Sequence, residues 1–487
     1  MNCAIMSCLL ALFLKGYMSG SDVSRSPSFL VQMPDGGYAL RGCVYKSFSS
    51  EYDGAIVRLD ASGERLWSKR YGWDTDHEYF RSIAKVSDGI LVAGYTRTIG
   101  NMDGFVIKTD QNGSLLWSLA YGGTSSDWLN RIIPTSDGSF LAVGGTYSFG
   151  SGGDVIILKI SSSGSVLWAK YFGGTGYDEA YDCVEVSDGY LITGYLSSGS
   201  DREVLLVKLS ASGTLLWARA YGTASQYEVG QAVVAVSDGI VVAGQYNSYS
   251  SGDAMLMKTD LSGNLLWANS YGGGSGDLFY GLVSDGSDLV ATGTTASFSG
   301  SYDIFILKTN SGGSVSWARR YDYGWDEGYE TIPVSGGYAV GCGVGAYHSV
   351  LTVDPSGNFP GCVVDVPITP TSLAFTTTTL SLSLNTPSGM STATPPPVND
   401  LTPTKNEFCS PSAIVEDAAV GNNLLFCSPI AGGILFRSKG NVFLRVYSAD
   451  GKMVWSGQVN EGEKRINLEP GVYLWQGGEY RGTGIVR

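Results

Sequence analysis

Apolar residues run in short blocks along the first three quarters of this chain, and polar turn residues cut the blocks at regular intervals. The stretch Val155 to Gly174, VIILKISSSGSVLWAKYFGG, recurs in close copies. Trp67, Trp117, Trp168, Trp217, Trp267 and Trp317 mark six of them. Tyr71, Tyr121, Tyr221, Tyr271 and Tyr321 follow their tryptophans by four positions, and Tyr171 follows Trp168 by three. A period of about fifty residues signals a repeat architecture. In the copy from Glu78 to Gly122 the pattern predicts four strands, YFRSIAKV, ILVAGYT, FVIKTD and SLLWSLAY, and no stretch keeps a helical period.

Turn chemistry supports this division. Asp88-Gly89 between the first two strands is a tight-hairpin signal, with positive φ expected at both residues. It recurs at Asp35-Gly36, Asp137-Gly138, Asp188-Gly189, Asp238-Gly239 and, loosened, Asp285-Gly286. Asp-x-x-Gly joins the third and fourth strands at Asp60 to Gly63, Asp110 to Gly113, Asp260 to Gly263 and Asp354 to Gly357, and suits a type I turn closed by a left-handed glycine. Four-stranded antiparallel units at this spacing are expected to be the blades of an all-β, seven-bladed propeller over 27–366. The third strands, from AIVRLD to SVLTVD, count seven, and their consecutive apolar residues fit sheets packed on both faces. Each indole is expected to fill a gap between blades. The seventh repeat has Gly361 where its indole would fall, and Leu373 to Leu384, LAFTTTTLSLSL, is the candidate for its closing strand.

Composition adds limits. Of 487 residues 67 are Gly, 29 Tyr and 11 Trp, as short strands and tight turns require. A formal charge of −14 argues against nucleic acid and anionic membranes as partners, and leaves cations, basic proteins and neutral glycans. The apolar run Cys3 to Leu14 is too short to span a bilayer and has the form of an export-signal core, although Lys15 follows it rather than preceding it. The leader is expected over 1–21, and no later segment is built to be transmembrane. Six cysteines lie beyond it without CxxC spacing, which argues against zinc. Cys362 and Cys409 bracket a linker and form a candidate disulfide in an exported protein. Cys43, Cys183 and Cys342 read as free buried thiols.

The segment YFGGTGYDEAYDCVEVSDGYLITGYLSS followed by VLLVKLSASGTLLWARAYG resembles the bacterial seven-bladed β-propeller repeat proteins, relatives of the quinoprotein propellers. The resemblance covers Phe29 to Cys362. Kelch repeats place a Gly-Gly pair before Tyr and Trp, whereas here Trp comes first. The quinoprotein kinship raises an oxidoreductase, but the adjacent cysteine pair and cofactor constellation of those enzymes are missing. A Thr/Ser/Pro-rich linker follows over 367–412, and 413–487 alternates strands and turns as a small β-sandwich. This tail resembles the C-terminal sorting domain of type IX secretion, through Asp450-Gly451-Lys452 with Val454, the turn around Leu468, Gly471 and Tyr473, and the closing GIVR. Phe426-Cys427-Ser428-Pro429 departs from that family's Tyr-Pro-Asn-Pro. The resemblance implies the type IX secretion machinery as a partner, and a secreted or outer-membrane surface location.

Both tight turns fall on one face of the expected disc, so the long loops share the other. They carry Trp73 and Asp76, Trp128, Tyr177 and Asp178, and Trp325 and Asp326, where aromatic rings could stack on sugars and carboxylates accept their hydroxyls. The same repetition also suits carboxylates that merely cap loop backbone. No cofactor is expected, with Ca2+ at an Asp-rich loop left open. Only His77 and His348 are available for imidazole chemistry, and no triad is visible. Two functions fit: an adhesin-like binding or structural module taking a glycan or protein ligand, or a carbohydrate-active enzyme using long-loop carboxylates.

Overall fold

The computed structural model describes residues 14–18, then 29–359 apart from 46–51, 73–76, 98–100, 199–200, 224–225, 248–250, 299–300, 323–325 and 345–346, parts of 364–379, and strands between 398 and 486. Two compact units separate, the first holding most of 16–406 and the second chiefly 407–487.

Blade two shows how the repeat folds. Glu78–Val86, Gly89–Thr96, Asp103–Asp110 and Leu115–Tyr121 pair antiparallel in chain order. The two middle strands are buried almost throughout, and the fourth exposes Leu116 at the rim. Further blades begin at Leu30, Asp127, Glu179, Val229, Asp277 and Asp326. Leu30–Gln32 packs beside Asp326–Val334, and Phe29 stacks on Tyr329 at 6.3 Å, so the last blade meets the first. The ring is closed. It is a seven-bladed β-propeller. Its cores lie between neighbouring blades, as where Leu91 and Val106 meet Ile156 and Leu158, and each such side chain contributes about 1.5–3 kcal/mol.

The repeated Trp and Tyr act together as a latch. Trp217 is half-buried and packs against Gly263 in the third-to-fourth turn of the next blade, where φ is 80° and an added Cβ would stand 3.0 Å from the indole. Tyr221 is fully buried and donates its hydroxyl to the Gly263 carbonyl at 2.6 Å. Tyr71, Tyr271 and Tyr321 make the same bond to Gly113, Gly313 and Gly357. The indoles are therefore clamps over a turn rather than deep wedges, and the residue at the bottom of the gap is the tyrosine. In blade three the one-residue offset puts Phe172 in that buried place and leaves Tyr171 half-buried against Phe149. Tyr271→Phe should cost about 1–3 kcal/mol, because the Gly313 carbonyl loses its partner away from water. Thermal unfolding of the variant checks this.

A second link joins the turns. In blades one to six the cation in the third strand reaches the aspartate of its own first hairpin: Arg58 to Asp35, Lys108 to Asp88, Lys159 to Asp137, Lys208 to Asp188, Lys258 to Asp238 and Lys308 to Asp285, at 2.5–3.2 Å. The stems are buried and the ends reach the surface. Those hairpins differ from the expected form, since their aspartates keep negative φ and only glycines such as Gly36 and Gly138 turn left-handed. The Asp-x-x-Gly turns are as expected, with φ of 72–80° at Gly63, Gly113, Gly263 and Gly357.

The largest difference concerns the linker. Thr376–Thr379, within the stretch expected to close the seventh blade, pairs instead with Arg219–Gly222 on the outer edge of blade four. Val364–Asp365 lies on blade six, Thr371–Ser372 on blade five and Val398–Asp400 on blade one. The linker thus runs backwards around the rim and supplies partners to edge strands whose backbone would otherwise stay open.

In the second unit Leu425–Ile430, Gly433–Ser438 and Gly462–Asn467 form one antiparallel sheet, and Met453–Val459, Val442–Ser448, Gly471–Gly477 and Tyr480–Val486 another. Cys43, Cys183 and Cys342 are free and buried, while Cys362 and the side chain of Cys409 lie outside the described residues.

Candidate functional site at the central channel

Each long loop delivers a carboxylate to the start of an innermost strand: Glu78, Asp127, Asp178, Glu228, Asp277 and Asp326, all buried. These carboxylates hold loops. Asp127 accepts from the Gly123 amide at 2.9 Å and the Ser148 hydroxyl at 2.6 Å, and Asp178 from the amides of Gly174 and Ser197 at 2.5 and 2.8 Å. Asp277 repeats the pattern with Gly273 and Ser297. Of the other residues singled out in the sequence, Trp128 and Tyr177 come together with rings 6.0 Å apart. Trp73, Asp76 and Trp325 lie outside the described residues.

Three positions past each loop carboxylate the innermost strand bulges. Pairing with the second strand skips Arg81, Asn130, Tyr181, Gln231, Tyr280 and Tyr329 in turn. A bulge re-aims its extra side chain, and all six line one cavity of about 1020 Å³ at the hub. Blade one adds Phe29 and Arg41. The scaffold positions repeat nearly the same residues, but this position differs from blade to blade. Search for repeated residues passes over it, whereas the fixed offset from the loop carboxylate finds it.

One wall of the channel is organised by Glu179. Its carboxylate accepts from the Trp128 indole at 2.6 Å, the Asn130 amide at 2.8 Å, and the hydroxyls of Tyr177 and Tyr181 at 3.1 Å and Tyr195 at 3.4 Å. These donors fix the faces of four aromatic rings around a single buried anion. The Arg202 guanidinium lies over Tyr195 and Tyr227 at 4.0 and 4.6 Å and extends the wall. Opposite, Tyr79 stacks on Tyr95 and Tyr280 packs on Tyr329. His77 is part of this stacking, between Tyr52 and Tyr95.

A charged crossbar spans the hub. Arg131 of blade three donates to both oxygens of Glu330 on blade seven, at 2.8 and 3.2 Å, and its Nε stands 3.0 Å from Asp182 of blade four. Burial opposes the Arg131 charge, but Glu330 and Asp182 outweigh it and hold the guanidinium protonated. Glu185, lower in the channel, accepts from the amide and hydroxyl of Ser136. Among the described residues Glu179, Glu185, Asp182 and Glu330 each accept from a protein donor at the channel, Asp182 through Oδ2 from the Val233 amide.

Burial sets a pH dependence in the blade junctions. It raises Asp103 to about 6, with Asp127 adding to the effect, Asp154 to about 6 and Glu228 to about 7. Carboxyls raised in the folded state contribute stability that is complete below about pH 4 and is lost as pH rises through 6–7. Asp88 and Asp285 are instead lowered, by hydrogen bonds from Lys108 and from Tyr338 respectively, and contribute stability that is lost as pH falls below about 4. In metal-free buffer the melting temperature should therefore peak at about pH 4–6 and decline towards pH 8. A melting series over that range would refute this by rising steadily to pH 8.

No family model matches the chain, and no curated protein matches it in sequence. Among solved structures it is similar to Sqt1 from Chaetomium thermophilum, at 13% identity over 70% of this chain and 98% of that one, with a TM-score of 0.41. It is also similar to PorZ, described as an essential bacterial surface component of the type-IX secretion system of Porphyromonas gingivalis, at 10% identity over 94% of this chain and 74% of that one, with a TM-score of 0.36. At these values neither likeness bears on what this chain does.

Proposed function

We propose that the propeller is a secreted or surface-displayed binding module that takes a neutral saccharide into its central channel. The observation that carries this is the ring of bulged residues, where a constant frame presents Arg, Asn and Gln from three blades and Tyr from three others. Five of the six are amides or phenols, which both donate and accept, and phenol faces stack on the apolar faces of sugar rings. The cavity is at the upper end of the size of small-molecule sites. Charged ligands gain little there, since Arg131 already pairs its charge with Asp182 and Glu330. The commitment of Glu179, Glu185, Asp182 and Glu330 to protein donors favours binding over a hydrolase, which needs a carboxylate aimed at its substrate. Export rests on the sequence of the leader and of the tail around Asp450-Gly451-Lys452, with the type IX machinery as the partner that sequence fits. Saturation-transfer NMR of the full chain against neutral oligosaccharides tests the binding. Signals from sugar ring protons are expected, without release of products on long incubation; a panel with no signal, or with turnover, would overturn the reading.

A further inference from the structure

Two carboxylates meet at several of the junctions between blades. At the boundary of blades two and three, Asp103 opens a third strand and Asp127 opens the next innermost strand, both nearly fully buried. Asp103 Oδ1 and Asp127 Oδ2 stand 1.9 and 2.7 Å from the point where a Cβ on Gly122 would lie, so both oxygens converge beside one glycine. Asp127 is held there by its loop donors. Asp103 Oδ1 is buried with no hydrogen-bond partner among the described residues. At Gly173 the converging oxygens are Asp154 Oδ1 and Asp178 Oδ2, at 1.9 and 2.6 Å, and at Gly272 they are Asp253 Oδ1 and Asp277 Oδ2, at 2.5 and 2.4 Å. At Gly222 only Glu228 brings an oxygen close, its Oε2 at 3.1 Å, buried and without a hydrogen-bond partner among the described residues, whereas Glu203 approaches with its Cγ and Cβ.

Two further junctions show what such a pair requires. In blade one Arg70, just before the latch tyrosine, stands 3.2 Å from Asp53, and in blade six Arg320, at the same position, stands 2.6 Å from Asp303. Blades two to five have Ala120, Tyr171, Ala220 and Ser270 at that position. In blades two, three and five the chain places no arginine there, and two carboxylates, at least one of each pair buried, face one another in a medium that screens them poorly.

We propose that the junctions at Gly122, Gly173 and Gly272 each bind a Ca2+ ion in the role that Arg70 and Arg320 play in blades one and six. Calcium suits an all-oxygen, irregular shell completed by hydroxyls, carbonyls and water, whereas Mg2+ demands a near-ideal octahedron. Two protein carboxylates per ion place the affinity among the weak extracellular sites, roughly 10⁻⁴–10⁻³ M. The sites are separate from the channel and do not depend on what it binds.

The test uses the purified full chain at pH 7.5, melted in EDTA and in 5 mM CaCl2, with ion uptake measured by equilibrium dialysis. Calcium should raise the melting temperature by about 5 °C, and MgCl2 should do much less. Asp103→Asn should reverse the order of stability, melting above the wild type in EDTA and below it in calcium, with one ion fewer bound. Tyr171→Arg, which installs the arginine of blades one and six at a half-buried position, should likewise release one ion and raise the melting point in EDTA. A wild type indifferent to calcium but stabilised on acidification to pH 5 would show shared protons in place of metal and overturn the proposal. So would a calcium response unchanged in both variants.

Discussion

Replacing Arg131 by Ala is expected to destabilise the propeller by about 3 kcal/mol, the lower end for breaking a buried ion-pair network, because the arginine is partly reached by solvent. The loss comes mostly from what remains. Asp182 and Glu330 would face the hub without their shared partner, one from blade four and one from blade seven, and both would carry uncompensated charge. Arg131→Lys should recover little, since one ammonium cannot serve both Glu330 oxygens and Asp182 at once. Two comparisons separate charge from packing. The deficit should shrink on acidification, as the stranded carboxyls take up protons, and it should shrink again when Arg131→Met is combined with Asp182→Asn and Glu330→Gln. Melting curves of the single and triple variants at pH 5 and pH 8 decide this, and an equal loss at both pH values would contradict the electrostatic account.

The second large effect concerns the channel. Tyr280→Ala and Gln231→Ala remove half-buried side chains that the bulges direct into the cavity. Each should weaken saccharide binding roughly 10–100-fold, the usual cost of truncating a central aromatic or hydrogen-bonding contact. Trp267→Ala at the rim should lower the melting temperature and leave affinity unchanged, because Trp267 packs on Gly313 away from the hub. Titrations with one oligosaccharide across the three variants distinguish the channel from the rim.

The frame of this molecule is legible in the sequence because it repeats. Tryptophan, tyrosine and Asp-x-x-Gly each perform one mechanical task per blade, so their spacing gives the number of blades and the order of strands. The details that depend on register are hidden. Arg81, Asn130, Tyr181, Gln231, Tyr280 and Tyr329 share a position but only half of them share a residue type, and a one-residue bulge leaves no mark in hydrophobic alternation. The tryptophans were expected to be wedges because size alone suggests burial, yet the smaller tyrosine, with a carbonyl to reach, goes deeper. The rim segments of two to four residues at 364–379 are too short to show a strand pattern, and their Thr-rich composition reads as linker until the open blade edges are seen. The loop carboxylates proved legible in a different sense. Their repetition pointed to backbone capping for Asp178 and Asp127, and that is what their oxygens do.

The most direct test is a crystal structure of the chain soaked with an oligosaccharide that gives saturation-transfer signals. The account predicts sugar density in the central cavity, within hydrogen-bonding distance of Gln231 and stacked on Tyr280. Density confined to the rim or to the loops around Asp178, with the hub empty, would contradict it.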